Sequence, residues 1–94
     1  MQIVKTTRFL LELEVVLDFI ARDNLFQALI FSEKLDEIIY RLLDMPYSHR
    51  KSLKANDIHI RDLVFNGYVV PYRINILKDR LEIIGIFSSN EWDI

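Results

Sequence analysis

The sequence predicts an α+β fold in which a helical hairpin packs on one face of a small, mainly antiparallel sheet. Three observations carry that prediction. Apolar residues recur with a period of about 3.6 up to Leu43 and of about 2 from Ile58 onward. Arg22-Asp23-Asn24 breaks the helical stretch in two. Asn66-Gly67 stands between Leu63-Val64-Phe65 and Tyr68-Val69-Val70, the strongest short-range signal for a two-residue hairpin.

Taken in order, residues 2–5 form a short extended start. Phe9, Leu10, Leu13, Val16, Leu17 and Ile20 then fall on one face of a first helix. Asn24, followed three residues later by Gln27, has the form of a capping box for a second helix. Ala28, Phe31, Leu35, Ile38 and Leu42 make its apolar stripe. A break this short turns the two helices antiparallel. Pro46 ends the second helix, and residues 47–56 read as a polar, basic loop. In the following hairpin Phe65 pairs with Tyr68, Leu63 with Val70 and Arg61 with Tyr72. A second reversal near Lys78-Asp79 would pair Ile76 with Leu81, Ile74 with Ile83 and Tyr72 with Gly85. This register gives one apolar face, with Leu63, Phe65, Val70, Tyr72, Ile74, Ile76, Leu81, Ile83 and Phe87, to receive the helices. The other face, with Ile60, Asp62, Val64, Val69, Pro71, Arg73, Asn75, Glu82, Ile84 and Ser88, should be the more open one.

Composition bounds the function. The chain has 94 residues, 51% of them hydrophobic and 28% charged, which is globular composition and about one domain. With no Cys, disulfides, thiol nucleophiles, cysteine-ligated zinc and iron–sulfur clusters are excluded. Two Gly leave no room for a phosphate-cradling loop, and no cofactor is expected. His49 and His59 lack partners at ligand spacing, so no metal is expected either. No apolar run approaches the length of a membrane span, and the N-terminus lacks the order of a signal peptide. A soluble, cytoplasmic protein is the expectation. The net charge of −2 argues against strong non-specific nucleic-acid binding. Basic side chains nonetheless gather locally, at Arg50, Lys51, Lys54 and Arg61 against Asp57 and Asp62.

The ordered set of residues is more specific than the architecture. Asp23-Asn24, Ala28, Phe31, Leu35, Leu43, Pro46 and Arg50 resemble the second helix and following basic loop of the RelE/ParE superfamily of type II toxins. Ile60-Arg61-Asp62-Leu63, Gly67-Tyr68-Val69-Val70, Tyr72-Arg73-Ile74 and residues 81–87 resemble the ParE-type sheet, followed by a Trp-containing tail. The resemblance covers essentially the whole chain, taken as a single toxin domain, residues 1–94. It implies that the first strand joins the sheet, and that a cognate antitoxin holds the toxin inactive in a hetero-oligomer.

Two actions occur in this superfamily. RelE-like members cut messenger RNA on the ribosome, whereas ParE-like members inhibit DNA gyrase without being enzymes. The positions that are basic in RNA-cutting members fall here on Ile60, Asp62, Val69 and Asn90. Others place a His after the last strand, where Ser88 and Ser89 stand. Acid/base chemistry is hard to build from this set, so no catalytic residue is assigned. The ParE-like action follows, with plasmid stabilisation as a family association. The alternatives are a RelE-like endoribonuclease using Arg50, Lys51, Lys54, Arg61 and Arg73, and a degenerate member that only binds antitoxin.

Candidates for contact with antitoxin or target are Arg73, Arg50, Lys51, Lys54, Asn90 and Trp92. Arg73 could grip a carboxylate or phosphate, or pair with Glu82 on the next strand. Arg61 should stack on Tyr72. Lys51 and its basic neighbours could equally form a solvated loop. Trp92 either covers the sheet or anchors a partner. Leu25 and Phe26 either cap the core or meet another chain.

Overall fold

The computed structural model describes residues 1–90; Trp92 lies outside them. The elements run β1 (Gln2–Lys5), α1 (Thr7–Asp23), α2 (Leu25–Arg41), β2 (Arg50–Lys51), β3 (Ile60–Phe65), β4 (Tyr68–Asn75), β5 (Arg80–Ile83) and β6 (Phe87–Ser88). Among the described residues the six strands form one sheet ordered β1-β5-β4-β3-β2, and β6 continues beyond β5 along the same side of β4. All pairings are antiparallel except β1 with β5. Both helices lie on one face, so the α+β expectation holds, and so does the implied place of the first strand.

Local chemistry sets the junctions. Thr6 Oγ1 accepts the Phe9 amide at 3.1 Å, capping α1, and donates to the Ile83 carbonyl at 2.8 Å. One hydroxyl therefore starts the helix and fixes its origin against β5. Asn24 closes α1 with its backbone N–H on the Ile20 carbonyl and opens α2 with its side chain on the Gln27 amide. A single extended residue thus joins the helices. At the hairpin, Asn66 and Gly67 both take positive φ (48° and 82°), the conformation a two-residue type I′ turn demands.

Phe9, Phe31, Leu35, Ile39, Leu63, Val70, Tyr72, Leu81 and Ile83 are buried between the helices and the sheet. Phe31 sets its ring 5.1 Å from Phe65 and 5.5 Å from Tyr68. The expected stripes hold except at Leu10, which is half exposed. Tyr72 sits at the centre, fully buried, and its hydroxyl donates to the Pro46 carbonyl, fastening the chain after α2 to the middle of the sheet. Burial pushes its pKa up to about 12, with Asp62 adding to the rise and Arg61 opposing it.

Four details correct the sequence reading. The β4–β5 register pairs Ile74 with Leu81 and Tyr72 with Ile83, two residues from the expected one. The reversal is the four-residue loop 76–79, in which the Asn75 side chain accepts the Lys78 amide and Asp79 takes φ 51°. A two-residue shift keeps every side chain on its face, but it leaves Ile76 exposed in the turn. Between β5 and β6 an extra residue enters at 84–86, so Phe87 pairs with Val69 rather than Tyr68 and changes face, while Ile86 enters the core. Gly85 permits this: a Cβ there would collide with Glu12 Oε1, which accepts the Ile86 amide at 3.1 Å.

The third detail concerns the far face, which is the more open one, as expected, with Val64 and Arg73 exposed, but is partly covered. Residues 50–56 fold over it, starting with β2 on β3, and Ile60, Asp62, Val69 and Pro71 are buried. Finally, Arg61 does not stack on Tyr72. It lies over the Tyr47 ring, 5.0 Å from the centroid, and donates to the Ile58 and His49 carbonyls.

Candidate functional site

Asp62 organises the far face. Its carboxylate is 1% exposed and accepts the Leu53 amide at 3.3 Å, with the Arg50 guanidinium 3.6 Å away. Its acidity, expected on the surface, is therefore spent inside. Ser52, also buried, donates its amide to the Ile60 carbonyl and accepts the Lys54 and Ala55 amides on its hydroxyl. This local turn aims Lys54 across the Phe87 ring, Nζ 4.8 Å from the centroid.

Between this loop, β4 and the first turn of α1 lies a cavity of about 320 Å³. Its floor is apolar, made by Ile60, Pro71, Ile84 and Phe87, and its ionisable lining is Arg8, Lys54 and Arg73. Arg73 faces Glu82 across the strand register, as expected, yet Arg80 (2.7 Å) and Asn75 (3.3 Å) hold that carboxylate. Burial works against ionisation of Glu82. The Arg80 and Asn75 hydrogen bonds, with the charges of Arg80 and Arg73, outweigh it and lower the pKa.

The structure thus brings Arg73 and Lys54 together and adds Arg8, which sequence reasoning missed. The signal available was Thr6, whose bond to β5 places the first turn of α1 beside Ile84. Arg50 is turned toward Asp62, and Lys51 reaches Asn56 at 3.4 Å on the outside of the loop. Asn90 is exposed, with its amide on Ser88 Oγ. His59 Nδ1 meets the Tyr47 hydroxyl at 2.7 Å, and the His49 ring stands edge-on to Tyr72. No group of three His, Asp or Glu suited to a metal occurs among the described residues, and none of their helices is long and apolar enough to cross a membrane.

A second surface lies on the helical hairpin. Leu11, Val15 and Phe19 repeat every fourth residue along α1, and Leu25, Phe26 and Leu29 follow on α2; each is more than half exposed. Leu25 and Phe26 are therefore not core caps. Val15 and Phe19 face Tyr68, Ile86 and Phe87 across a groove of about 340 Å³.

Two helices on one face of a mixed sheet, with exposed apolar stripes at the hairpin, make an α+β protein. The fold is similar to that of a chain solved as "Chromosomal ParDE TA system from P. aeruginosa", with a TM-score of 0.73 and 15% sequence identity, covering 94% of this chain and 95% of that one. The family model for the ParE toxin of the type II toxin–antitoxin system parDE matches residues 3–91. The chain belongs to the ParE toxin family and is a type II toxin. No curated protein sequence matches it.

Proposed function

We propose that this toxin acts by contact in the cytoplasm, binding and inhibiting DNA gyrase, and that a cognate antitoxin neutralises it by lying along its surface. The observation that carries the reading is the pair of exposed apolar stripes at the hairpin. Contiguous exposed apolar surface is retained where another protein covers it. Burial supports the same reading. Of the four positions matching the basic set of RNA-cutting relatives, Asp62 and Val69 are acidic or uncharged and fully buried, and Ile60 offers only an apolar side chain to the floor of the cavity.

The Arg8–Lys54–Arg73 cluster favours a second reading, a ribosome-dependent endoribonuclease. Expression without antitoxin, scoring both gyrase supercoiling and message cleavage, separates the two. Phe19→Asp and Phe26→Asp should relieve inhibition of supercoiling at a cost of about 1 kcal/mol each in stability, because both side chains are about two-thirds exposed. Cleaved messages with supercoiling untouched would refute the contact reading. Expression that slows no host's growth would favour a member that binds antitoxin only.

A further inference from the structure

The pocket on the far face combines features that the hairpin stripes lack: three cations around an apolar floor, in a space about the size of one or two side chains. We propose that it receives an acidic peptide segment of the antitoxin, a carboxylate side chain held among Arg8, Lys54 and Arg73 with a neighbouring apolar side chain on Ile60, Pro71 and Ile84. This rests on the reading that the toxin is neutralised by a segment lying along its surface, and it specifies that segment's chemistry.

Charge complementarity selects the occupant. The ionisable side chains lining the cavity are all basic, and the carboxylate opposite Arg73 is already engaged by Arg80 and Asn75. Arg8 lies 3.4 Å from Glu12 Oε1, with 65% of its side chain still exposed, so its guanidinium can meet a second carboxylate. A carboxylate entering here meets its counter-charges within a Debye length, so the acidic remainder of the protein affects it little. A polyanion, by contrast, spans many such lengths and meets the field of a chain with net charge −2. A nucleic-acid base would also need an open aromatic face, and Lys54 already covers one face of Phe87. The apolar floor has no use for a ribose-phosphate backbone but suits a Leu- or Ile-like side chain.

The test is an amide-resolved NMR titration of the intact chain with three probes. These are the acetylated, amidated dipeptide Glu-Leu, its neutral counterpart Gln-Leu, and a single-stranded oligoribonucleotide. Glu-Leu should give saturable shifts confined to amides around the pocket, such as those of Ala55, Ile60, Arg73 and Ile84. Gln-Leu should bind about fivefold more weakly, the worth of one or two partly exposed ion pairs. Arg73→Glu should weaken Glu-Leu by at least as much, whereas Lys78→Glu, the same charge change in the exposed 76–79 turn, should not; a dispersed spectrum verifies that each variant is folded.

Equal binding of Glu-Leu and Gln-Leu, absence of saturable shifts with Glu-Leu, or displacement of Glu-Leu by the oligoribonucleotide would each overturn the proposal. Growth arrest by the wild-type chain, relieved by its antitoxin, is scored separately. A failed titration with relief intact overturns the pocket alone, whereas lost relief overturns the neutralisation reading itself.

Discussion

Tyr72→Phe removes one oxygen from the centre of the molecule, and the consequences can be worked out with their signs. The ring is fully buried and its hydroxyl donates to the Pro46 carbonyl. The variant keeps the packing but leaves that carbonyl without its donor, a loss of about 1–2 kcal/mol at neutral pH. For a chain of this size each kcal/mol lowers Tm by about 4–8 °C. The alkaline side behaves differently. The folded protein holds the Tyr72 proton to about pH 12, whereas the unfolded chain releases it near 10.0. Between those values the native state binds more protons, so wild-type stability falls as pH rises, by about 2.7 kcal/mol in total. The phenylalanine variant has no such proton. Its stability curve should therefore lie below the wild-type curve at neutral pH and cross it near about pH 11. Urea unfolding of both proteins from about pH 7 to about pH 11.5 reads this directly. Equal stability at neutral pH would refute the hydrogen bond, and a gap that stays constant through the alkaline range would refute the raised pKa.

Gly85→Ala should cost about 1–3 kcal/mol, because the new Cβ drives Glu12 Oε1 off the Ile86 amide. Adding Glu12→Ala should recover part of the loss, and a double-mutant cycle by urea unfolding that finds the two sites independent would refute the contact. On the acid side, burial lowers the His49 pKa from 6.5, so the native state binds fewer protons and stability falls as pH drops below that value. Glu82, lowered from 4.5, contributes stability above that value that is lost as pH falls through its folded pKa. Unfolding midpoints from neutral to acid pH should show the first slope vanish in His49→Gln and the second in Glu82→Gln.

How much of this was legible in the sequence depended on whether the signal was local. Asn24, Asn66-Gly67 and the helical stripes act over a few residues, and the structure follows them. The register of β5 was set instead by the Asn75 side chain capping its own turn, so an expectation built on Lys78-Asp79 alone missed it by two residues. The extra residue at 84–86 depends on Glu12, more than seventy positions away, and nothing near Gly85 announces it. The candidate site divided in the same way. Arg73 was legible because alternation puts it on the far face. Arg8 was not, since only the Thr6 bonds to β5 bring α1's first turn there. The covering of that face was likewise invisible, because a polar stretch such as 50–56 reads as loop until its buried partner, Asp62, is seen.

Asp62 is the residue on which that covering depends. Its carboxylate holds the loop at two points, the Leu53 amide and the Arg50 guanidinium, and the loop in turn carries Lys54 to the rim of the pocket. Asp62→Ala should cost about 1–3 kcal/mol for the unmade bonds. The lower part of that range is expected because Arg50, with 45% of its side chain exposed, can return to water. The backbone bonds of β2 and Ser52 remain, so the loop should loosen rather than leave. Exchange of the Leu53 amide should therefore accelerate by more than the global destabilisation accounts for, while amides of the β3–β4 ladder follow global stability alone. Asp62→Asn keeps an acceptor for the Leu53 amide and should retain more of its protection. Unchanged Leu53 protection in Asp62→Ala would mean that the ladder alone closes the face, and that the anchored cover owes nothing to the Asp62 carboxylate.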